Sequence, residues 1–511
     1  MLFPTVDFAV FFTVVLGLSW LLRGRYVLWR LFVIAASWTF YGWWDARFVL
    51  LLAASTAGNY AFGRLIDRTL AVRTRAVEEE DSGLQLAAVA GARTVARAAP
   101  VLRAVPPTVR ERTRWTPWAV GAGVAMNLAV LGWFKYYGFF ATSLDNTLND
   151  IGLGMPLPLL QITLPIGISF FTFQAISYLV DISRGAVRPM RPLDFAVYLS
   201  FFPHLVAGPI VRASEFAPQL SRPANASAIP ATEAAVLIMS GLFKKLVISS
   251  FLAREIVDPV FGVPSQHSSL EIVVATYAYA VQIFADFSGY TDIAIGCALL
   301  LGFRFPQNFD HPYRARSLQD FWRRWHMTLS RWLRDYLYIP LGGSRGNVTF
   351  TARNLLITMV LGGLWHGAAW TFVAWGAIHG VGLVAERLIW RGRAATAQTS
   401  GWVEAARWAV TFHVVCLAWV FFRAESIGDA WQLLARAGMA WGPAPLVSPL
   451  VVGVIAGMMV LQFAPKRLPE MALVRFSQLQ PLVQAAAFAL AFVAIDALRP
   501  TGVSPFIYFR F

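Results

Sequence analysis

The sequence predicts an all-α polytopic membrane protein with about ten to twelve membrane-embedded helices of roughly 20 residues each. The first observation is composition, because 57% of the 511 residues are hydrophobic and only 14% are charged. In soluble domains about a quarter of all residues are charged. The second is the recurrence of apolar runs able to cross a bilayer of about 30 Å. The third is the content of 20 Trp and 39 Phe, which fits a lipid-facing surface with interfacial aromatic belts.

The apolar segments follow one another along the chain, and hairpins or re-entrant pieces account for the range in their predicted number. The first segment has no basic region before it and no small-residue cleavage site before Arg23, so we expect a retained helix rather than a signal peptide. The segments cover residues 6–22, 28–44, 48–66, 118–134, 159–179, 195–210, 235–252, 272–303, 355–388, 408–422, 446–463 and 485–498.

The net charge of +15 resides mainly in short loops between apolar segments, which is the positive-inside pattern of a membrane protein. Residues 67–116 are rich in Arg, Ala and Val, and we predict that they form a cytoplasmic low-complexity loop. We therefore expect a multipass protein of the cytoplasmic (inner) membrane, surrounded by lipid and without a nucleic-acid partner.

The chain shows no fixed-period repeat and no pair of related halves, which makes a transporter built on internal repeats less favoured. We predict one membrane domain over residues 1–511. Its catalytic centre is expected within 164–380, which holds all but one of the 7 histidines together with several intramembrane acids.

Residues 318–336 have a helical pattern with tryptophans on one face and arginines on the other. Ser317 and Asp320 resemble a capping box, so the helix is expected to begin at Leu318. A helix of this kind lies in the membrane interface or roofs a cavity. His326 falls at the border of the apolar face beside Ser330, where it could face a polar pocket or be a surface histidine.

A second histidine, His366, lies in a long apolar region among glycines. An ionisable group at such a position is a functional hypothesis by default, and an imidazole suits a general base because its pKa lies near working pH. The alternative is a neutral histidine that hydrogen-bonds to a packed helix. Gly362, Gly363 and Gly367 allow close approach by a neighbouring helix or by a substrate chain.

Four further groups are expected to support the centre, with direct catalysis by Asp286 and Asp292 as the open alternative to structural pairing. Asp286 and Asp292 lie in or beside a membrane segment and need partners, for which the arginines of residues 307–345 are candidates. Asp335 lies on the arginine-bearing face of the predicted helix. His204 lies in a segment interrupted by Pro and Gly, where packing is favoured over lining a tunnel. No metal-ligand spacing accompanies these residues, and we expect no metal site.

Five motifs in one order resemble the membrane-bound O-acyltransferase (MBOAT) family. The match is most similar to its alginate O-acetyltransferase branch, which shares FPHL and AGP at 202–209 and a terminus like FIYFRF at 506–511. The resemblance covers most of the chain and is weakest over 67–116. The five motifs are FADFSGYTDIAIG at 284–296, GFRFPQNF at 302–309, FWRRWHMTLS at 321–330, WLRDYLYIPLGG at 332–343 and GGLWHG at 362–367.

The resemblance implies a ring of helices around a thinned, funnel-like centre, with an acyl thioester on the cytoplasmic side and the acceptor reached from outside. It also implies that the two family histidines are His326 and His366, of which His366 is the expected base. Oxyanion or phosphate contacts could come from backbone amides near Gly342 and Gly343 or from arginines, which could equally form a solvated face. The candidate substrate-binding residues are Arg323, Arg324, Ser330, Arg334, Asn308 and Trp365.

The sequence thus predicts an O-acyltransferase, most simply an O-acetyltransferase, that bears no bound cofactor and uses acetyl-CoA or an acyl carrier thioester as co-substrate. The acceptor is expected to be a hydroxyl of an extracytoplasmic polysaccharide or of a periplasmic relay protein, with a periplasmic acetyltransferase as a possible partner. One alternative is a transporter or channel with an intramembrane His/Asp path, which would not hydrolyse a thioester. Another is a non-catalytic export scaffold, which the presence of both histidines disfavours.

Overall fold

A computed structural model describes residues 1, 3–74, 108–154, 160, 162–222, 225–389 and 400–500. Within these ranges the chain is almost entirely helical, with one pair of short strands. Most of the predicted 67–116 loop and the terminal motif at 506–511 lie outside the described residues.

The first thirteen helices carry the chain to the middle of the sequence. Two π-helical stretches, Phe243–Ser249 and Ala253–Val257, join α10, α11 and α12 into one long bent helix, and a third, Gly132–Tyr136, joins α4 to α5. The helices are α1 Val6–Leu22, α2 Tyr26–Gly42, α3 Arg47–Arg68, α4 Thr116–Leu131, α5 Tyr137–Asp150, α6 Ile168–Ser183, α7 Pro192–Ser200, α8 Phe202–Leu205, α9 Ala213–Ser221, α10 Ala231–Leu242, α11 Ser250–Leu252, α12 Asp258–Gly262 and α13 Ser269–Leu300.

The remaining helices follow a loop at residues 301–317. A π-helical turn, Arg334–Tyr338, continues the second of them. They are α14 Leu318–Arg324, α15 Met327–Leu333, α16 Val348–His366, α17 Trp370–Ile389, α18 Gly401–Arg423, α19 Ile427–Met439, α20 Pro449–Gln462, α21 Arg467–Ser477 and α22 Pro481–Leu498. The short 3₁₀ turns are Ala226–Ala228, Pro264–Gln266 and Pro312–Arg314.

Eight helices in the described part of the chain are long and apolar enough to cross a membrane, or nine if the bent pair α20 and α21 counts as one span. Two shorter apolar helices, α1 and α6, add to this set. The predicted polytopic all-α membrane fold is confirmed. The spans are Arg47–Arg68, Thr116–Asp150, Ala231–Gly262, Ser269–Leu300, Val348–His366, Trp370–Ile389, Gly401–Arg423 and Pro481–Leu498.

The most buried of these spans is α13, since 67% of its most apolar stretch is buried inside the protein. It packs closely on α10. A Cβ added to Gly289 would lie 2.8 Å from the carbonyl oxygen of Gly241, and a Cβ on Gly241 would lie 2.5 Å from that of Gly289. The two helices therefore touch along their backbones, as small residues permit in membrane helix pairs.

The helices α16 and α17 form a second close pair that positions the histidine at the end of α16. A Cβ on Gly363 would lie 2.2 Å from the carbonyl oxygen of Phe372, and one on Gly376 would lie 2.4 Å from that of Met359. Of the two interpretations of the glycines around His366, close approach by a neighbouring helix is therefore the one that Gly363 satisfies.

The predicted continuous helix over residues 318–336 is wrong, because the chain breaks at His326. The helix begins at Leu318 as expected, with the Ser317 hydroxyl accepting a hydrogen bond from the Asp320 N–H at 3.0 Å. It ends at Arg324, and the next helix begins at Met327. Each piece has seven residues, about 10 Å of helix, so neither can cross a bilayer by itself.

The predicted partners of the two intramembrane acids are also wrong. Asp286 pairs with Lys245, and Asp292 pairs with Lys244, rather than with arginines of residues 307–345. Both lysines lie on the π-helical stretch that follows α10, so the close contact of α10 with α13 brings them to the acids. The sequence did not reveal this pairing because it depends on which two helices are neighbours.

Two strands close the base of the arginine-rich loop. Strand β1, Leu70–Thr74, pairs antiparallel with β2, Thr108–Arg112, so the two ends of the loop lie side by side. The Arg112 guanidinium donates to the carbonyl oxygen of Ser183 at 2.8 Å, which ties this hairpin to the end of α6.

Candidate active site

The break at His326 places its imidazole in the protein interior. His326 has φ 41° and ψ 54°, the left-handed conformation that costs a residue with a Cβ about 1–3 kcal/mol and is found preferentially at functional sites. Its side chain is fully buried, and burial lowers its pKa to about 3. The imidazole is therefore neutral at pH 7, as a base must be before it accepts a proton.

Asn308 holds this break from a different part of the chain. Its side-chain oxygen accepts the backbone N–H of Thr328 at 3.1 Å and the hydroxyl of Thr328 at 2.9 Å, and its carbonyl accepts the N–H of Met327 at 2.9 Å. His326 provides no side-chain cap for α15. Asn308 thus satisfies donors of the first turn that a helix leaves unpaired.

The same amide oxygen fixes the tautomer of His326. The His326 Nδ1 atom lies 3.2 Å from Asn308 Oδ1, an atom that must be an acceptor because the Thr328 N–H points to it. Nδ1 therefore carries the proton, and Nε2 keeps its lone pair. Among the described residues Nε2 has no hydrogen-bond partner, so the structure leaves a basic nitrogen available at this position.

The second predicted histidine lies close to the first. His366 is the last residue of α16 and is buried, and its ring centroid lies 6.4 Å from that of His326. Trp365, Trp375 and Phe422 surround His366 at centroid distances of 5.0, 5.0 and 5.3 Å. The structure thus brings the two predicted histidines together inside an aromatic enclosure.

An aromatic stack forms one wall of this enclosure and links three elements. Trp332 of α15 stacks on Phe173 of α6 at 3.6 Å between centroids, and Phe173 stacks on Trp365 of α16 at 5.2 Å. The Trp332 indole N–H also donates to the carbonyl oxygen of Phe173 at 2.9 Å. The ring of Phe287 from α13 also packs on His326, edge to face at 4.6 Å.

The arginines predicted as substrate contacts lie along the outer part of the broken helix. Arg323 is exposed. Arg324 donates to Asp320 at 2.8 Å, and the exposed Arg334 donates to Asp335 at 2.6 Å. The contacts of Arg324 and Arg334 therefore run to acids rather than to either histidine.

The Ser330 hydroxyl and the amides of Gly342 and Gly343 donate hydrogen bonds to backbone carbonyl oxygens. The Ser330 hydroxyl donates to the carbonyl oxygen of Trp325 at 3.2 Å. The amides of Gly342 and Gly343, expected as oxyanion donors, instead bond within their own turn to the carbonyl oxygens of Ile339 and Tyr338 at 3.0 and 2.9 Å. Oxyanion donation by backbone amides near these two glycines therefore stays a prediction.

The predicted supporting residues make structural contacts. Asp335 accepts hydrogen bonds from Arg334 and Arg212; burial opposes ionisation, but these bonds keep its pKa below the usual range. His204 is fully buried and hydrogen-bonds through Nε2 to the carbonyl oxygen of Tyr198 at 2.8 Å. Among the described residues, no group of three or more His, Cys, Asp or Glu residues is placed to hold a metal ion.

Two ionisable residues near the site, one partly and one fully buried, were missed in the sequence. Lys135, at the end of the predicted 118–134 segment, bonds to the carbonyl oxygens of Trp365 and His366. His379 of α17 is fully buried, packs on Trp375 at 4.9 Å, and has no hydrogen-bond partner on either ring nitrogen among the described residues. The rule that intramembrane ionisable residues are functional candidates would have selected both.

A family model described as MBOAT, the membrane-bound O-acyltransferase family, matches residues 157–426. A probable alginate O-acetylase of Pseudomonas aeruginosa is 38% identical over 425 residues, which cover 83% of this chain and 72% of the relative. Its counterpart in Azotobacter vinelandii is 39% identical over 427 residues, covering 83% and 75%. A peptidoglycan O-acetyltransferase of Helicobacter pylori is 34% identical over 432 residues, covering 79% and 73%.

Proposed function

Since this chain belongs to the membrane-bound O-acyltransferase family, we propose that it moves an acetyl group from a cytoplasmic thioester to a hydroxyl outside the membrane. His366 is the proposed general base, and His326 assists it. The observation that carries this proposal is the 6.4 Å separation of the two buried imidazoles, since both would be within reach of a single hydroxyl.

Family membership confirms three predictions at their general level. The protein is a multipass membrane protein, it is an acyltransferase, and the relatives described above at 34–39% identity are named as O-acetyl-transferring enzymes. The matches give no support to the transporter alternative. The proposed cellular location is the cytoplasmic membrane of a bacterium, since the relatives are bacterial.

The proposed chemistry is direct transfer between two bound substrates. The hydroxyl oxygen attacks the thioester carbonyl carbon while its proton passes to a nitrogen of the His366 imidazole. The tetrahedral intermediate then expels the thiolate, which takes that proton as the carbon–sulfur bond breaks. Aromatic walls favour such a step because a dry site strengthens each electrostatic contact with the oxyanion.

His326 has a geometric reason to assist. Its Nε2 lone pair can accept a hydrogen bond from the acceptor hydroxyl and so orient the hydroxyl for His366, while Asn308 keeps Nδ1 protonated. We further propose that Trp365, whose ring centroid lies 6.0 Å from that of His326 and 5.0 Å from that of His366, contacts the acyl group. Arg323 is the most accessible of the predicted cations for a phosphate of the donor, because Arg324 and Arg334 are paired with acids.

The proposed acceptor is a polysaccharide hydroxyl or that of a periplasmic relay protein. Two of the relatives are named for alginate and one for peptidoglycan, both of them polymers outside the cytoplasmic membrane. Acetyl-CoA is the first donor to test, with an acyl carrier thioester as the second. A periplasmic acetyltransferase would be the partner if the acetyl group is relayed.

Purified protein in lipid vesicles tests the mechanism with radiolabelled acetyl-CoA as donor and oligosaccharides of alginate or peptidoglycan as acceptors. We expect His366→Ala to lower transfer by about 10²- to 10⁴-fold, the range for loss of a general base, and His326→Ala to impair it less. Both variants should insert normally and bind the thioester as tightly as the wild type.

The double variant should lose less than the product of the two single losses, because residues that act as a unit are not additive. Near-normal transfer by His366→Ala at a saturating donor concentration would rule out the base assignment. If the acetyl group is transferred to neither oligosaccharide while thioester hydrolysis is retained, the result would point to a relay protein as the acceptor.

A further inference from the structure

We propose that Lys135 is a positioning residue for His366, and that it holds the last turn of α16 in the orientation from which the imidazole reacts. This inference rests on the proposed role of His366 as the base. Lys135 lies on the π-helical stretch Gly132–Tyr136, and it is separated from His366 by 231 positions in the sequence.

The Lys135 ammonium group makes three contacts at the end of α16. It donates to the carbonyl oxygen of Trp365, to that of His366 at 3.1 Å, and to the hydroxyl oxygen of Ser169 at 3.1 Å. The first two carbonyls belong to the tryptophan–histidine pair of the site itself. Because α16 ends at His366, they are among the last four carbonyls that a helix cannot satisfy internally.

Lys135 thus suits a helix C-terminus both in the number of its N–H donors and in its positive charge. An ammonium group has three N–H donors, and three acceptors are present, so no donor is left to stabilise a reacting oxyanion. A cation is also favoured beside the negative end of a helix dipole. These two facts assign Lys135 to positioning rather than to contact with the substrate.

The contacts of Lys135 join three elements where His366 needs a fixed direction. Ser169 lies in the first turn of α6, and its carbonyl oxygen accepts the indole N–H of Trp365 at 3.3 Å. Lys135 and Trp365 therefore bind the same residue, Ser169, from two sides. Helix ends fray readily, and a base on the final residue of a helix would lose its direction without such a clamp.

The π-helical geometry provides a second, independent indication. A π-helical turn is rare and occurs mostly at functional sites, and here it presents two consecutive side chains to the end of α16. The Tyr136 hydroxyl donates to the carbonyl oxygen of Leu364 at 2.7 Å, one residue before the pair that Lys135 binds. Tyr136 is therefore a matched control, since it anchors the same helix end without touching the carbonyl of His366.

The test compares Lys135→Met, Lys135→Arg and Tyr136→Phe in the full-length protein, with acetyl-CoA as donor and alginate oligosaccharide as acceptor. We expect Lys135→Met to lower kcat by about 10- to 100-fold, since a displacement of about 1 Å costs up to 10²-fold. Its KM values should stay near those of the wild type. Lys135→Arg keeps the charge and the donors, so it should recover most of the kcat. The kcat of Tyr136→Phe should stay within about threefold of the wild type, because the effect of losing a hydrogen bond away from the reacting group is modest.

A Lys135→Met protein with kcat within twofold of the wild type would overturn the inference. So would equal losses in Lys135→Met and Tyr136→Phe together with a lower melting temperature, since these would mean anchoring alone. If Lys135→Met does not insert, Lys135→Gln takes its place under the same criteria. His366→Ala is measured in parallel: normal turnover there refutes the base assignment, whereas an inactive His366→Ala beside a normal Lys135→Met refutes only the role of Lys135.

Discussion

At the centre of this protein, the position of His326 is set by a neighbouring residue that does not itself react. Asn308 caps α15 and accepts the Nδ1 proton of His326 through one oxygen atom, so a single amide controls both the backbone break and the tautomer. The sequence predicts Asn308 as a substrate contact, and that role stays a prediction. Its side chain is buried, which favours action through His326.

This arrangement predicts different effects for two neighbouring substitutions. Asn308→Ala removes the acceptor of the His326 Nδ1 proton and should lower kcat by about 10²-fold, the cost of a misplaced group. Thr328→Val removes one hydroxyl from the same amide oxygen and leaves the His326 bond in place, so it should have a smaller effect. Initial rates of acetyl transfer at saturating donor measure both, and equal losses would contradict the orienting role of Asn308.

Pairs of helices in this protein are joined by buried charges as well as by close backbones. Lys245 and Asp286 are almost fully buried at side-chain exposures of 2% and 3%, whereas Lys244 and Asp292 are exposed to 20% and 23%. Both pairs link the stretch after α10 to α13. Removing one partner of a buried ion pair leaves an uncompensated charge, which is far more costly than the loss of an exposed pair.

The difference in burial predicts a difference in stability. Lys245→Met should lower the free energy of unfolding by about 3–5 kcal/mol, because it leaves the Asp286 carboxylate without its cation in the interior. Lys244→Met should cost less, because the pair that it breaks is less buried. Thermal unfolding of the two variants in the same detergent measures the contrast, and a larger loss for Lys244→Met would refute it.

At the scale of the whole molecule, helices too short to cross a bilayer carry part of the candidate site. The two seven-residue helices around His326 come between the spans α13 and α16 in the sequence, and the structure brings His326 next to His366 at the end of α16. The thinned centre that the family resemblance implies stays a prediction, and a thin barrier would let donor and acceptor approach one site from opposite sides.

The orientation of the molecule is predicted by its charges. We expect the arginine-rich 67–116 loop to face the cytoplasm under the positive-inside rule. The antiparallel pairing of β1 with β2 brings the two ends of the loop together, so an insertion at its middle should be tolerated. Alkaline phosphatase fused at Ala90 should be inactive and a cytoplasmic reporter active at the same site; strong phosphatase activity would reverse the orientation.

The sequence by itself determined the membrane fold and the enzyme family, and it selected the two candidate histidines. These follow from local properties, since a 20-residue apolar window or a short motif is complete within its own segment. Only the tertiary structure decided that residues 318–336 are broken at His326, that Asp286 pairs with Lys245, and that Lys135 clamps the end of α16. Each depends on residues far apart in sequence, up to 231 positions for Lys135 and His366, and such contacts arise from how helices pack rather than from any local pattern.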